Sequence, residues 1–134
     1  MATLKAIEGI GEAYALRLEE VNIISVKALL KGGASPQGRQ AIAEKTGISG
    51  QLILEWVNHA DLFRIKGVGS EYADLLECAG VDTIPELAQR NPANLYQKLV
   101  QVNQERKLVR RLPTLAQVEA WVEQAKVLPR TIIY

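Results

Sequence analysis

Arg64-Ile65-Lys66-Gly67-Val68-Gly69-Ser70-Glu71-Tyr72-Ala73-Asp74-Leu75-Leu76 sets two glycines around one aliphatic residue and follows them at once with a helix-start signal. Glycine has no Cβ, so it admits a tight turn with positive φ. It also leaves backbone N–H groups open at the mouth of the next helix. Those groups precede the intrahelical ladder and carry the positive end of the helix dipole, which suits an anion such as phosphate. Ala73 and Leu76 fall on one side of that helix.

The pattern occurs twice. Ile7, Gly9, Gly11, Tyr14, Ala15, Leu18, Ile23 and Leu29 align with Ile65, Gly67, Gly69, Tyr72, Ala73, Leu76, Val81 and Leu87 at a constant offset of 58 positions. The units close alike, Trp56 and Ala60 answering to Trp121 and Ala125, now 65 positions apart. The difference implies an insertion of about seven residues, most simply between Asn91 and Pro113, in a tandem duplication of one unit. The expected units are 1–63 and 64–134, sharing one body, because about 60 residues make only a marginal core.

Helix starts and stops are legible throughout. Glu12 opens a helix that closes near Asn22, a residue that tolerates left-handed backbone. Ser25 caps a short helix ended by Gly32-Gly33, Ser35-Pro36 starts a third, Gly47 ends it, and Ser49 caps a fourth. Leu52, Ile53, Trp56, Val57 and Ala60 recur at the spacing of a buried face. In the second half Ser70 is read as a cap, Gly80 as a stop, and Thr83-Ile84-Pro85-Glu86 as a capping box. Asn91-Pro92 starts a helix running toward Lys107, and Thr114-Leu115-Ala116-Gln117 is a second capping box. Period-two alternation is nowhere sustained. The expectation is an all-α protein of about eight helices, with an apolar tail, Thr131-Ile132-Ile133-Tyr134, packed on the body or on a partner.

The repeated pattern, apolar-x-Gly-apolar-Gly-x-x-x-Ala-x-x-Leu, resembles the helix-hairpin-helix motif of DNA repair and replication proteins. The likeness extends to Arg39, to Thr46-Gly47-Ile48-Ser49, to Trp56-Val57-Asn58-His59-Ala60-Asp61-Leu62, and to the run Ala79–Pro92. Together these are similar, over nearly the whole chain, to a bacterial helix-hairpin-helix family described as a domain of unknown function. The resemblance implies tandem four-helix units of the SAM/helix-hairpin-helix-like class. It also implies DNA binding, by analogy with the DNA-binding segments of flap-endonuclease-type proteins.

The chain holds sixteen Lys and Arg against fifteen Asp and Glu, a net charge of +1. Nonspecific nucleic-acid binding runs on phosphate neutralisation, so bulk charge opposes it and only a local basic patch supports it. The first turn, Gly9-Ile10-Gly11, is flanked by Glu8 and Glu12, whose carboxylates repel phosphate; a compact helix connection is the competing reading there. The second turn is better placed. Arg64 and Lys66 precede Gly67, Val68 and Gly69, which are expected to supply N–H donors, and Ser70 adds a neutral hydroxyl. Lys98, Arg106, Lys107, Arg110 and Arg111 oppose only Glu105, and they form a basic face if the helix after Asn91 folds back beside the turn. The competing reading is a solvated helix end whose cations complement the dipole.

No catalytic set, metal site or cofactor is expected. His59 with Glu55 and Asp61 makes a poor ligand set, so His59 reads as structural or superficial. Cys78 reads as a small buried residue, and Trp56 and Trp121 as core anchors instead of base-stacking platforms. The single cysteine excludes an internal disulfide, no run is long enough to span a membrane, and Met1 begins no signal-peptide pattern. A cytoplasmic location is expected. The expected partner is DNA or RNA backbone, with no sequence specificity; the alternative is an adaptor that binds another protein. Oligomeric state is not legible.

Overall fold

Each apolar stripe in the sequence becomes a helix in the computed structural model, which describes residues 3–134. Met1, where the sequence shows no signal pattern, lies outside the described residues. The order is a 3-10 turn (Leu4–Ala6), then α1 (Glu12–Glu20), α2 (Val26–Gly32), α3 (Pro36–Thr46), α4 (Gly50–Leu62), α5 (Ser70–Cys78), α6 (Ile84–Ala88), α7 (Pro92–Arg106) and α8 (Leu115–Val127). There is no strand among the described residues, and the fold is all-α. No helix among them is long and apolar enough to cross a membrane.

The chain divides into two compact units, one holding residues up to Asp61 together with Thr131–Tyr134, the other Leu62–Arg130. The tail, which sequence order assigns to the second unit, therefore packs in the first. There the Ile133 N–H donates to the Ala34 carbonyl at 2.7 Å, and Ile132 is buried.

In the first unit α1 packs on the 3-10 turn and on α3, and α2 packs on α3. Its core gathers Ile7, Leu18, Leu29, Ile53, Trp56 and Val57, all buried. In the second, α8 packs on α6 and α7, and α7 on α5. That core runs from Leu62 and Ile65 through Leu76, Val81, Leu87, Leu95 and Leu99 to Val118, Trp121 and Val122. The aliphatic positions aligned by the sequence repeat, from Ile7 and Ile65 to Leu29 and Leu87, are buried in both units.

Local chemistry explains the breaks. Ser25, Ser35, Thr83, Asn91 and Thr114 each accept an N–H from the first turn of the helix they cap. Thr114 and Gln117 complete a reciprocal capping box. Thr83 and Glu86 form only half of one, because the Glu86 carboxylate turns to the Thr83 hydroxyl at 3.5 Å. Ser70 is not a cap; Gly69 takes that position and Ser70 is the first helical residue. Helices α1 and α5 end alike, on a left-handed residue. Asn22 (φ 68°) and Gly80 (φ 92°) let the following Ile23 and Val81 N–H groups donate back to Leu18 and Leu76.

Candidate nucleic-acid interface

The second glycine turn is a four-residue turn from Ile65 to Val68, closed by the Val68 N–H donating to the Ile65 carbonyl at 3.1 Å. Gly67, third in the turn, has φ +93°, the conformation of a type II turn that favours glycine. A Cβ there would also stand 3.3 Å from Trp121 Nε1. The first turn is built alike: Ile10 N–H to Ile7 carbonyl at 3.1 Å, Gly9 at φ +96°, and Trp56 Nε1 3.2 Å from where its Cβ would be. In each unit a tyrosine of the following helix packs on the same indole, Tyr14 on Trp56 at 5.1 Å and Tyr72 on Trp121 at 5.3 Å between ring centroids. Trp56 and Trp121 are buried core anchors.

The second glycine of each pair behaves differently. Gly11 and Gly69 have φ of −89° and −106°, which any residue adopts, and nothing lies within 4 Å of an added Cβ. The first bond of α5 runs from the Ala73 N–H to the Gly69 carbonyl at 2.9 Å, so the Ser70, Glu71 and Tyr72 N–H groups stand ahead of the helical ladder. A serine at Gly69 would fill this position with a side-chain cap. Glycine leaves it bare.

One of the expected donors and two of the expected cations are placed otherwise, and the Lys66 N–H is engaged as well. The Val68 N–H closes the turn and its residue is buried, so it does not face out. The Lys66 N–H is taken by Gln124 Oε1 at 2.8 Å, while Gln124 Nε2 donates to the Lys66 carbonyl at 3.3 Å. Arg64 is half-buried, and its guanidinium donates to the Pro129 carbonyl at 2.7 Å. Arg106 points to Cys78 at the far end of α5, with Nη1 3.7 Å from Sγ. That end lies about 12 Å from the glycine turn along the helix. Beside it, burial pushes the Cys78 thiol above its ordinary value, Asp74 and Glu77 push the same way, and Arg106 opposes them.

The backbone at Arg111 does come back to α5. Lys107 adopts left-handed backbone (φ 52°) and reverses the chain after α7. Asn103 then grips Val109, accepting its N–H at 3.0 Å and donating to its carbonyl at 3.1 Å. The Tyr72 hydroxyl donates to the Arg111 carbonyl at 2.9 Å, fixing the loop to the first turn of α5. Lys66, Lys107, Arg110 and Arg111 are exposed. The Arg111 main chain is thus tied to Tyr72 of α5, while the Arg106 side chain reaches Cys78 at the end of that helix. Gln124, Asn103 and Tyr72 position this arrangement. Their signals in the sequence are faint: a glutamine one turn after a core tryptophan, an asparagine near a helix end, and a tyrosine repeated in both units.

Fold and turns together define an all-helical protein whose two units each carry a glycine turn docked on a buried tryptophan. The family described as a domain of unknown function, DUF4332, matches residues 8–128, and the chain belongs to that family. Neither the curated proteins nor the solved structures yield a match.

Proposed function

We propose that the protein is a non-catalytic binding module that holds the sugar-phosphate backbone of DNA or RNA through the second glycine turn, read as a helix-hairpin-helix. On this reading the two units are a tandem duplication. One observation carries the proposal. At Gly69 neither backbone geometry nor packing calls for glycine, yet glycine leaves the N–H groups of a helix start uncovered. Close approach of an anionic ligand is a reason for that choice.

Ser70, Glu71 and Tyr72 supply the N–H donors, and Lys66, Arg110 and Arg111 supply neutralising charge. Contacts of this kind position a backbone without reading bases. The net charge of +1 keeps binding weak and salt-sensitive. The non-catalytic part of the reading rests on a sequence without a recognisable catalytic motif, and a cytoplasmic location fits a chain with one cysteine. A protein-binding adaptor is the second reading, favoured by the near-zero net charge and by exposed Glu8 and Glu12 at the first turn.

The test is a titration of the full chain against labelled duplex DNA, single-stranded DNA and RNA across a range of salt. Micromolar binding that weakens steadily with salt is expected. Absence of binding at low salt removes the phosphate reading and leaves the adaptor.

A further inference from the structure

Residues Thr131–Tyr134 pack in the first unit, held there by main-chain and side-chain hydrogen bonds to Ala34, Arg39 and Asn58. The main chain of Ile133 is satisfied on both sides. Its N–H donates to the Ala34 carbonyl at 2.7 Å, and its carbonyl accepts from Arg39 Nη2 at 2.9 Å. The guanidinium takes the place that a neighbouring strand's N–H would hold in strand addition. Of the last three side chains only Ile132 is buried, at 2% exposed. Tyr134, at 53%, is exposed like Ile133, at 62%, and is held through its hydroxyl, which donates to Asn58 Oδ1 at 2.6 Å. The Tyr134 ring lies beside the Arg39 guanidinium, 5.8 Å from its central carbon.

The receptor side is preformed by its own contacts. Arg39 is buried, and its Nη1 donates to the Gly33 carbonyl at 2.9 Å and the Ala34 carbonyl at 3.3 Å. Those bonds aim Nη2 outward at the peptide. The turn carrying the carbonyls is closed to side chains. A Cβ at Gly33 would meet Val57 Cγ2 at 2.4 Å, and one at Gly38 would meet the Gly32 carbonyl oxygen at 2.1 Å. All of these residues belong to the stretch from α2 to α4. The stretch from Leu128 to Tyr134 has no helical structure, so 131–134 can leave without unwinding a helix.

We infer that Ala34, Arg39 and Asn58 form a recognition cleft for an extended peptide of the pattern apolar-x-Tyr, and that Ile132-Ile133-Tyr134 occupies it in cis as a displaceable plug. The cleft reads main chain through Ala34 and Arg39, an aliphatic side chain at the first position, and a phenol at the third. Tethering gives the plug a high effective concentration, so a free peptide competes only when the plug is loosened.

The experiment uses the full chain carrying Ile132→Asp, which places a carboxylate where burial forbids one, and a fluorescent synthetic peptide, Arg-Thr-Ile-Ile-Tyr. Saturable binding to the Ile132→Asp chain is expected. The wild-type chain should need at least about tenfold more peptide, because the tethered plug competes, and the double variant with Arg39→Ala should lose binding. A peptide with aspartate in place of its first isoleucine should not bind. Equal affinity of wild-type and Ile132→Asp chains, or binding to neither, overturns the inference. Amide hydrogen exchange of the wild-type chain decides independently if the variant does not fold. Ile133 should exchange through local opening, well ahead of Ile53 and Val57 in α4. Exchange of Ile133 only together with those core amides would make the segment a permanent part of the fold and sink the proposal.

Discussion

Gln124 holds both backbone polar groups of Lys66, accepting the N–H through Oε1 and donating to the carbonyl through Nε2. One side chain of α8 thereby ties down the glycine turn in addition to the Val68–Ile65 bond. Gln124→Ala removes both bonds at a half-exposed place, so a loss of about 1 kcal/mol is expected in urea unfolding. An unchanged midpoint would show that solvent replaces the clip at no cost.

The glycines within each turn should separate by substitution. Gly67→Ala and Gly9→Ala force a Cβ into left-handed backbone beside an indole nitrogen, at a cost of about 1–2 kcal/mol or more. Gly69→Ser adds a cap in open space and should stabilise the chain by roughly a few tenths of a kcal/mol. The same serine occupies the N–H groups assigned to phosphate, so nucleic-acid affinity should fall as stability rises. Denaturant curves paired with binding titrations read both effects.

Charge reversal should follow the geometry. Lys66→Glu, or Arg110→Glu with Arg111→Glu, should abolish binding in the proposed mode, and milder neutralisation should flatten the salt slope by about 1 per contact removed. Arg106→Glu should alter binding far less, because Arg106 sits at the opposite end of α5. Glu8→Lys with Glu12→Lys should strengthen binding by giving the first turn cations.

Truncation of either buried indole, Trp56→Ala or Trp121→Ala, should cost about 3–5 kcal/mol. Each also removes the wall against which a turn glycine and a tyrosine pack. Thermal melts should show a loss for both variants, and a surface-like loss below about 0.5 kcal/mol would contradict the packing.

Burial, reinforced by Asp74 and Glu77, raises the Cys78 pKa, so the thiol stays protonated in the folded chain at pH values where an ordinary thiol ionises. Alkylation by iodoacetamide should be slower than that of a free thiol at mildly alkaline pH. The sign for stability follows. The unfolded thiol ionises first, so this group's linkage weakens the fold as pH rises from the ordinary thiol pKa through the raised one. A Cys78→Ser chain should lose that part of the alkaline decline.

Helix number and most boundaries are legible from sequence because they depend on neighbours a few residues apart: Ser35 before Pro36, Asn91 before Pro92, Gly80 after α5. Trp56 and Trp121 are legible as core through spacing alone. Ser70 misleads because glycine also stands at N-caps, and Gly69 pre-empts the position. The candidate site is half legible. The turn and its glycines follow from local backbone chemistry, but whether a given N–H is open depends on distant partners such as Gln124, which no local pattern announces. Arg106 and Arg111 look equivalent in sequence. A left-handed residue at Lys107, the grip of Asn103 on Val109 and the hydroxyl of Tyr72 send Arg111 to one end of α5, while Arg106 reaches Cys78 at the other. The same division governs Thr131–Tyr134. Its apolar character is plain from sequence, but its place in the first unit rests on the Arg39 guanidinium and the Ala34 carbonyl, and hydrogen bonds between residues so far apart in sequence exist only once the chain has folded.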